Sequence, residues 1–153
     1  MKRVLFVCTG NTCRSPMAKA LLEKIMQQKS RQDFYRVDSA GLFAVDGLSA
    51  SREAIEVLRH ENIDLTSHQS QSIGEQTVNR ADIIIAMTET HYEQLLDLYP
   101  AARDRVYTFS ELAGFTESDV TDPYGQGLPA YQVTLQQLKQ GMPRLFSYLE
   151  NMR

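Results

Sequence analysis

The sequence predicts an α/β fold, a parallel four-stranded sheet with helices on both faces, in one domain over residues 1–153. Three observations predict it. Short apolar runs such as VLFV (4–7) and DIIIAM (82–87) show no polar alternation, as strands buried on both faces require. Segments with helical apolar spacing lie between such runs, which implies right-handed crossovers and parallel strands. A chain of 153 residues, 42% hydrophobic and 23% charged, suits a single core.

Val4 to Val7 is the first strand. Ser15 is expected to cap the first helix, with Pro16 at its first position. Met17, Ala18, Leu21, Leu22, Ile25 and Met26 then form its apolar stripe. Phe34 to Ser39 reads as the second strand, and Ala40 to Ser49, with two glycines, as a loop. Ser51 to His60 is helical, with Ala54, Ile55, Val57 and Leu58 facing inward. Asp82 to Met87 is the third strand. Thr88 to Leu98 is a helix capped by Thr88 and stopped near Pro100. Arg105 to Phe109 is the fourth strand. Gly114 to Pro129 is a polar loop, long enough to suggest that it carries function. Ala130 to Asn151 is the last helix, and Gly141 and Pro143 are expected to kink or split it.

The net charge is −3 and the sequence pI about 5.6, which argues against nucleic acid as a partner. No apolar run approaches the roughly 18 residues of a membrane span, so no membrane partner is expected. The N-terminal MKRVLFVC is too short for a signal peptide and lacks a small-residue cleavage site. With two cysteines and no export signal, a cytoplasmic, reducing location is expected. Two cysteines and three scattered histidines give no zinc-ligand spacing, and no metal or other cofactor is expected.

The chemistry concentrates in Cys8-Thr9-Gly10-Asn11-Thr12-Cys13-Arg14-Ser15. This stretch joins the carboxyl end of a strand, where ligands bind in such folds, to a helix N-terminus. Successive backbone N–H groups there can form an anion nest, and the helix dipole adds positive potential. Gly10 and Asn11 tolerate the positive φ of a tight nest. Arg14 offers a planar fork suited to a phosphoryl group. The same field is expected to lower the Cys8 pKa and hold a thiolate in line with a bound phosphorus. The plainer reading is a buried cysteine packed as a small hydrophobe. The stretch is not a nucleotide loop, for it has neither GxxxxGK[ST] nor GxGxxG. A thiol attack on phosphorus also needs an acid for the leaving group. Asp122, stiffened by Pro123, is the best candidate and Asp119 in the same loop its rival, against the plain reading of an Asp-Pro turn.

Together these residues resemble the low-molecular-weight protein-tyrosine-phosphatase family. The resemblance spans nearly the whole chain: VLFVCTGNTCRSPMA, DSAG at 38–41, the His68 segment, IIIAMT and the late DPYG. It implies a Rossmann-like phosphatase domain that acts on phosphorylated proteins. By it, Cys8 attacks phosphorus, Arg14 binds phosphate and the transition state, and Asp122 is the acid and later the base for water. Thr9, Gly10, Asn11, Thr12 and Cys13 line the phosphate site, and Ser15 hydrogen-bonds the thiolate. Asn11 holds the loop's shape with help from His68, although a plain surface histidine is an equal reading of His68. Phe43 is expected at the pocket rim.

Tyrosine-specific members carry an aliphatic residue where this chain has Thr12. Threonine there resembles the branch that removes phosphate from arginine. The single aromatic followed by glycine, Tyr124-Gly125, and the AMT of 86–88 followed by His91 resemble that branch too. A hydroxyl suits a polar guanidinium better than a phenyl ring, although Thr12 also suits a loop as a local backbone partner. Phosphoarginine on proteins is therefore the expected substrate, and phosphotyrosine the alternative. Cys13 has the family's spacing from Cys8, which implies a protective, redox-sensitive Cys8–Cys13 disulfide; a packed thiol is the alternative. Related arsenate reductases relay electrons through later cysteines, and none follows Cys13. A silent phosphoprotein-binding module would need Arg14 but neither Cys8 nor Asp122, and both are present.

Overall fold

The structure, a computed structural model, describes residues 1–116 and 119–152. Its strands are β1 (Lys2–Cys8), β2 (Tyr35–Gly41), β3 (Ile83–Ala86) and β4 (Val106–Thr108). They form one parallel sheet in the order β2-β1-β3-β4. The helices are α1 (Arg14–Gln28), α2 (Arg52–Arg59), α3 (Glu75–Arg80), α4 (Glu89–Leu98), α5 (Phe109–Ala113) and α6 (Leu128–Asn151). β1 lies inside the sheet, and its residues alternate between two buried clusters. Val4 and Phe6 join Met17, Leu22, Tyr131 and Leu145 on one face. Leu5 and Val7 join Ala40, Val78, Ile84 and Leu95 on the other. Covering both faces removes the polar alternation, which is why VLFV and IIIA read as unbroken runs. None of the described helices is long and apolar enough to cross a membrane.

Several boundaries differ from expectation, each for a local reason. Ser15 does not cap α1. The helix starts at Arg14 with Cys13 at the cap and no side-chain capping bond. The Ser15 hydroxyl is turned inward to Cys8 and Asn11 instead. β2 starts at Tyr35, after a short 3-10 turn that includes Phe34, and continues through Gly41. Phe109 opens α5 rather than ending β4, because Thr108 Oγ1 accepts from the Glu111 amide at 3.1 Å and turns the chain into a helix. α3 and α5 have no counterpart in the sequence reading; at six and five residues they are too short to show a period. The expected cap at Thr88 is present, accepting from the His91 amide, and Ser51 caps α2 in the same way, accepting from the Ala54 amide.

α6 is not split. It runs unbroken over 24 residues and begins at Leu128, two residues before the expected start. Gly141 serves close packing, since a Cβ there would lie 2.5 Å from Ala113 Cβ and 2.8 Å from Phe109. Pro143 is exposed, so the carbonyl it leaves without a helical partner lies on the solvent side. In the expected 114–129 loop, Gly114 closes α5 in the left-handed region, and Glu117 and Ser118 lie outside the described residues.

Candidate active site

β1 delivers Cys8 to the carboxyl edge of the sheet, and α1 starts at Arg14. The loop between them is bound from outside through its carbonyls. Cys8 O accepts from Leu42 N at 2.9 Å, Thr9 O from Phe43 N at 2.9 Å and Thr12 O from Ser51 N at 2.9 Å. Asn11 O accepts from His68 Nε2 at 2.7 Å. In a trans peptide the carbonyl and the following N–H point oppositely. The amides of Thr9, Gly10, Thr12 and Cys13 therefore face the loop's interior. β2 approaches so closely that a Cβ at Gly41 would lie 2.5 Å from Thr9 O, so only glycine fits there.

Asn11 is the internal strut. It is fully buried at φ 57°. Its Nδ2 donates to Ser15 Oγ at 2.8 Å and Ser39 Oγ at 2.9 Å, and its Oδ1 accepts from Gln71 N at 2.9 Å. Every polar atom of that side chain is engaged, which fixes a strained conformation in place.

The Cys8 sulfur lies 2.7 Å from Ser15 Oγ. Burial pushes its thiol pKa up; the Ser15 hydroxyl and amide, the Arg14 charge and the Asn11 amide pull it down without overcoming burial. The expectation that the loop's field lowers this pKa is thus corrected: desolvation of the charged form outweighs the donors. Cys13, also buried and free, points elsewhere. Its sulfur is 3.1 Å from Tyr131 Oη and 3.5 Å from Ser51 Oγ.

Arg14 is buried. Its Nη1 donates to Val120 O at 3.1 Å, and its Nη2 is 3.7 Å from Asp122 Oδ2. The acid loop is thereby attached to the guanidinium. Asp122 Oδ1 accepts from Tyr124 N at 3.1 Å, and the side chain remains 57% exposed, open to a substrate. The rival Asp119 is engaged elsewhere, its Oδ1 accepting from Glu89 N at 2.8 Å at the start of α4. The two candidate acids are separated by these contacts. Cys8, Arg14, Asp122 and the whole loop from Thr9 to Cys13 line one cavity of about 290 Å³. Phe43, Val45, Leu48 and Tyr124 form its exposed apolar rim. Ser15 lies behind the sulfur and does not line the cavity.

A larger cleft of about 610 Å³ lies behind the loop, beside His68 and Gln71. It holds neither a cysteine nor an arginine, so the candidate nucleophile and phosphate ligand lie together in the smaller cavity alone. His68 is half-buried; burial lowers its pKa and nearby Lys19 lowers it further, against the bond to Asn11 O.

Sequence reasoning gave no role to Ser39, Gly41, Gln71, Val120 or Tyr131. DSAG, at the end of β2, contained the signal for Ser39 and Gly41. Gln71 holds Asn11 and Val120 holds Arg14 through backbone atoms, which leave no trace in a single sequence.

The low molecular weight phosphotyrosine protein phosphatase family model matches residues 3–153. The chain belongs to this family. The phosphatase is 36% identical over 148 residues to a protein-arginine-phosphatase of Geobacillus stearothermophilus, covering 97% of this chain and 96% of that one. A low molecular weight protein tyrosine phosphatase from T. tengcongensis is 40% identical, with a TM-score of 0.90 and coverage of 97% and 99%. The arginine phosphatase YwlE, in a cysteine-to-serine mutant with a phosphorylated active-site serine, is 34% identical, with a TM-score of 0.93 and coverage of 99% and 97%. The chain is thus a protein phosphatase acting on phosphorylated proteins, and overall identity does not separate the arginine relatives from the tyrosine ones.

Proposed function

We propose that the phosphatase removes phosphate from arginine side chains of proteins through a cysteinyl-phosphate. The observation that carries this reading is Thr12, which lines the cavity that holds Cys8, Arg14 and Asp122. A phosphorylated guanidinium is polar up to the P–N bond, and a hydroxyl beside it can exchange hydrogen bonds. An aliphatic side chain there would favour a phenyl ring.

In this mechanism the phosphoryl oxygens take the inward amides and the Arg14 fork. Cys8 attacks phosphorus as the thiolate, and the Ser15 and Asn11 donors that pull against burial stabilise that form. The bond from phosphorus to the arginine nitrogen breaks as Asp122 gives that nitrogen its proton. Asp122, now a carboxylate, takes a proton from water, which attacks phosphorus and releases phosphate and the Cys8 thiolate. The phosphorylated serine of the YwlE mutant supports phosphoryl transfer to the residue at the position of Cys8.

The substrate assignment is tested by kcat/KM for matched phosphoarginine and phosphotyrosine peptides, in wild type and Thr12→Ile. Wild type should prefer phosphoarginine, and Thr12→Ile should shift the ratio toward phosphotyrosine by about tenfold to 100-fold. A wild-type preference for phosphotyrosine would return the enzyme to the tyrosine branch with its mechanism intact.

We propose as well that Cys8 and Cys13, both free, form a protective disulfide on oxidation, which requires the Cys13 sulfur to leave Tyr131 Oη and Ser51 Oγ. Peroxide should inactivate the enzyme with loss of two hydrogens by intact mass, and added thiol should restore activity. Irreversible loss, or a mass gain of oxygen alone, would leave Cys13 as a packed thiol.

A further inference from the structure

His91 lies outside the cavity and has no part in the chemistry above. Its Nε2 is 2.8 Å from Thr9 Oγ1, next to the nucleophile. The residue is only 5% exposed, and its Nδ1 has no hydrogen-bond partner among the described residues. A buried imidazole with one nitrogen unpaired is unfavourable unless its other contact matters. Burial and the Arg14 charge lower its pKa to about 4, against Asp119 and Asp122, so the ring is neutral at ordinary pH.

The turn carrying His91 also carries the acid loop. Val120 N donates to Met87 O at 3.0 Å, and Glu89 N donates to Asp119 Oδ1 at 2.8 Å. Residues 87–91 thus hold the acid loop through two backbone atoms and the nucleophile loop through one side chain. Arg14 is the second bridge between the loops, through Val120 O. Arg14 must also serve the phosphoryl group, whereas among the described residues the His91 ring hydrogen-bonds only Thr9.

We propose that His91 is a positioning residue, whose bond to Thr9 sets the nucleophile loop against the acid loop and so fixes Cys8 relative to Asp122. The inference rests on the reading of Asp122 as the acid. Losing the bond lets the two loops drift relative to each other. Transfer of a proton to the leaving group then suffers more than the attack itself.

The test is a double-mutant cycle of Thr9→Val and His91→Leu, read with two substrates: a phosphopeptide, and an activated aryl phosphate whose leaving group needs no proton. Each single variant should lower kcat on the phosphopeptide by about tenfold, the size of one buried hydrogen bond left unpaired. The double variant should be no worse than either single one. On the aryl phosphate the loss in His91→Leu should be small. His91→Gln, whose amide can still reach a hydroxyl, should recover most of the phosphopeptide rate, and it serves if His91→Leu fails to fold. Additive effects, or equal losses on both substrates, would overturn the proposal. Asp122→Asn is run beside them. If that variant shows no dependence on the leaving group, the acid assignment has failed, and additivity alone then decides whether the Thr9–His91 bond matters.

Discussion

Cys8→Ser should abolish turnover, by on the order of 10⁴-fold or more, while phosphate still binds. A serine hydroxyl is not ionised near neutral pH, so the nucleophile disappears. The cradle does not depend on sulfur. Asn11 keeps its bonds to Ser39 and Gln71, the loop carbonyls keep their outside donors, and Arg14 keeps Val120. Phosphate measured as a ligand by calorimetry should therefore bind within a few-fold of wild type, and the melting temperature should change little. Prolonged incubation with substrate should leave one phosphoryl group on the protein by intact mass, as a serine ester that the remaining machinery hydrolyses slowly. Retained turnover in this variant would exclude Cys8 as the nucleophile. Loss of phosphate binding together with turnover would mean that the sulfur shapes the loop as well.

Asp122→Asn should lower kcat by about 10²- to 10⁴-fold on phosphopeptides. Asparagine preserves the size of the side chain and can still accept from Tyr124 N, so the acid loop keeps its turn. It can neither give up a proton to the leaving nitrogen nor take one from water. With an activated aryl phosphate the first of these duties lapses, and the loss should shrink toward that of the hydrolytic step alone. Asp119→Asn should have a much smaller effect, because its carboxylate serves the Glu89 amide. Comparable losses in the two variants would mean that the acid loop acts as a unit and that Asp122 holds no special place.

What could be read from the sequence follows the range of each interaction. The strand cores were legible because burial on both faces writes itself into consecutive residues such as Ile83, Ile84 and Ile85. The loop was legible because its nucleophile, its glycine, its strut and its guanidinium lie within eight residues. Asp122 was legible as the better candidate with Asp119 its rival, and the cavity that holds Asp122 beside Arg14, together with the contact of Asp119 with α4, separates them. Ser15 was misplaced because a serine before a proline satisfies the general rule for a cap, whereas this hydroxyl is committed to Cys8 and Asn11. Gly141 was misread as a breaker because its function is to admit Phe109 and Ala113, which lie about thirty residues away in sequence. The direction of the Cys8 pKa was missed because donors can be counted in a sequence and desolvation cannot.

The nucleophile loop is made early in the chain, but its partners are made late. Arg14 waits for Val120, 106 residues on, and Cys13 for Tyr131, 118 residues on. Contacts this distant are slow to form, and during synthesis the first must wait for Val120 and the second for the start of α6. A nascent chain that already carries the thiol therefore still lacks the Val120 carbonyl that holds the guanidinium and the Asp122 carboxyl. On the proposed mechanism, competence arrives only once Asp122 has been made, so a chain that stalls before that point displays a cysteine but no phosphatase.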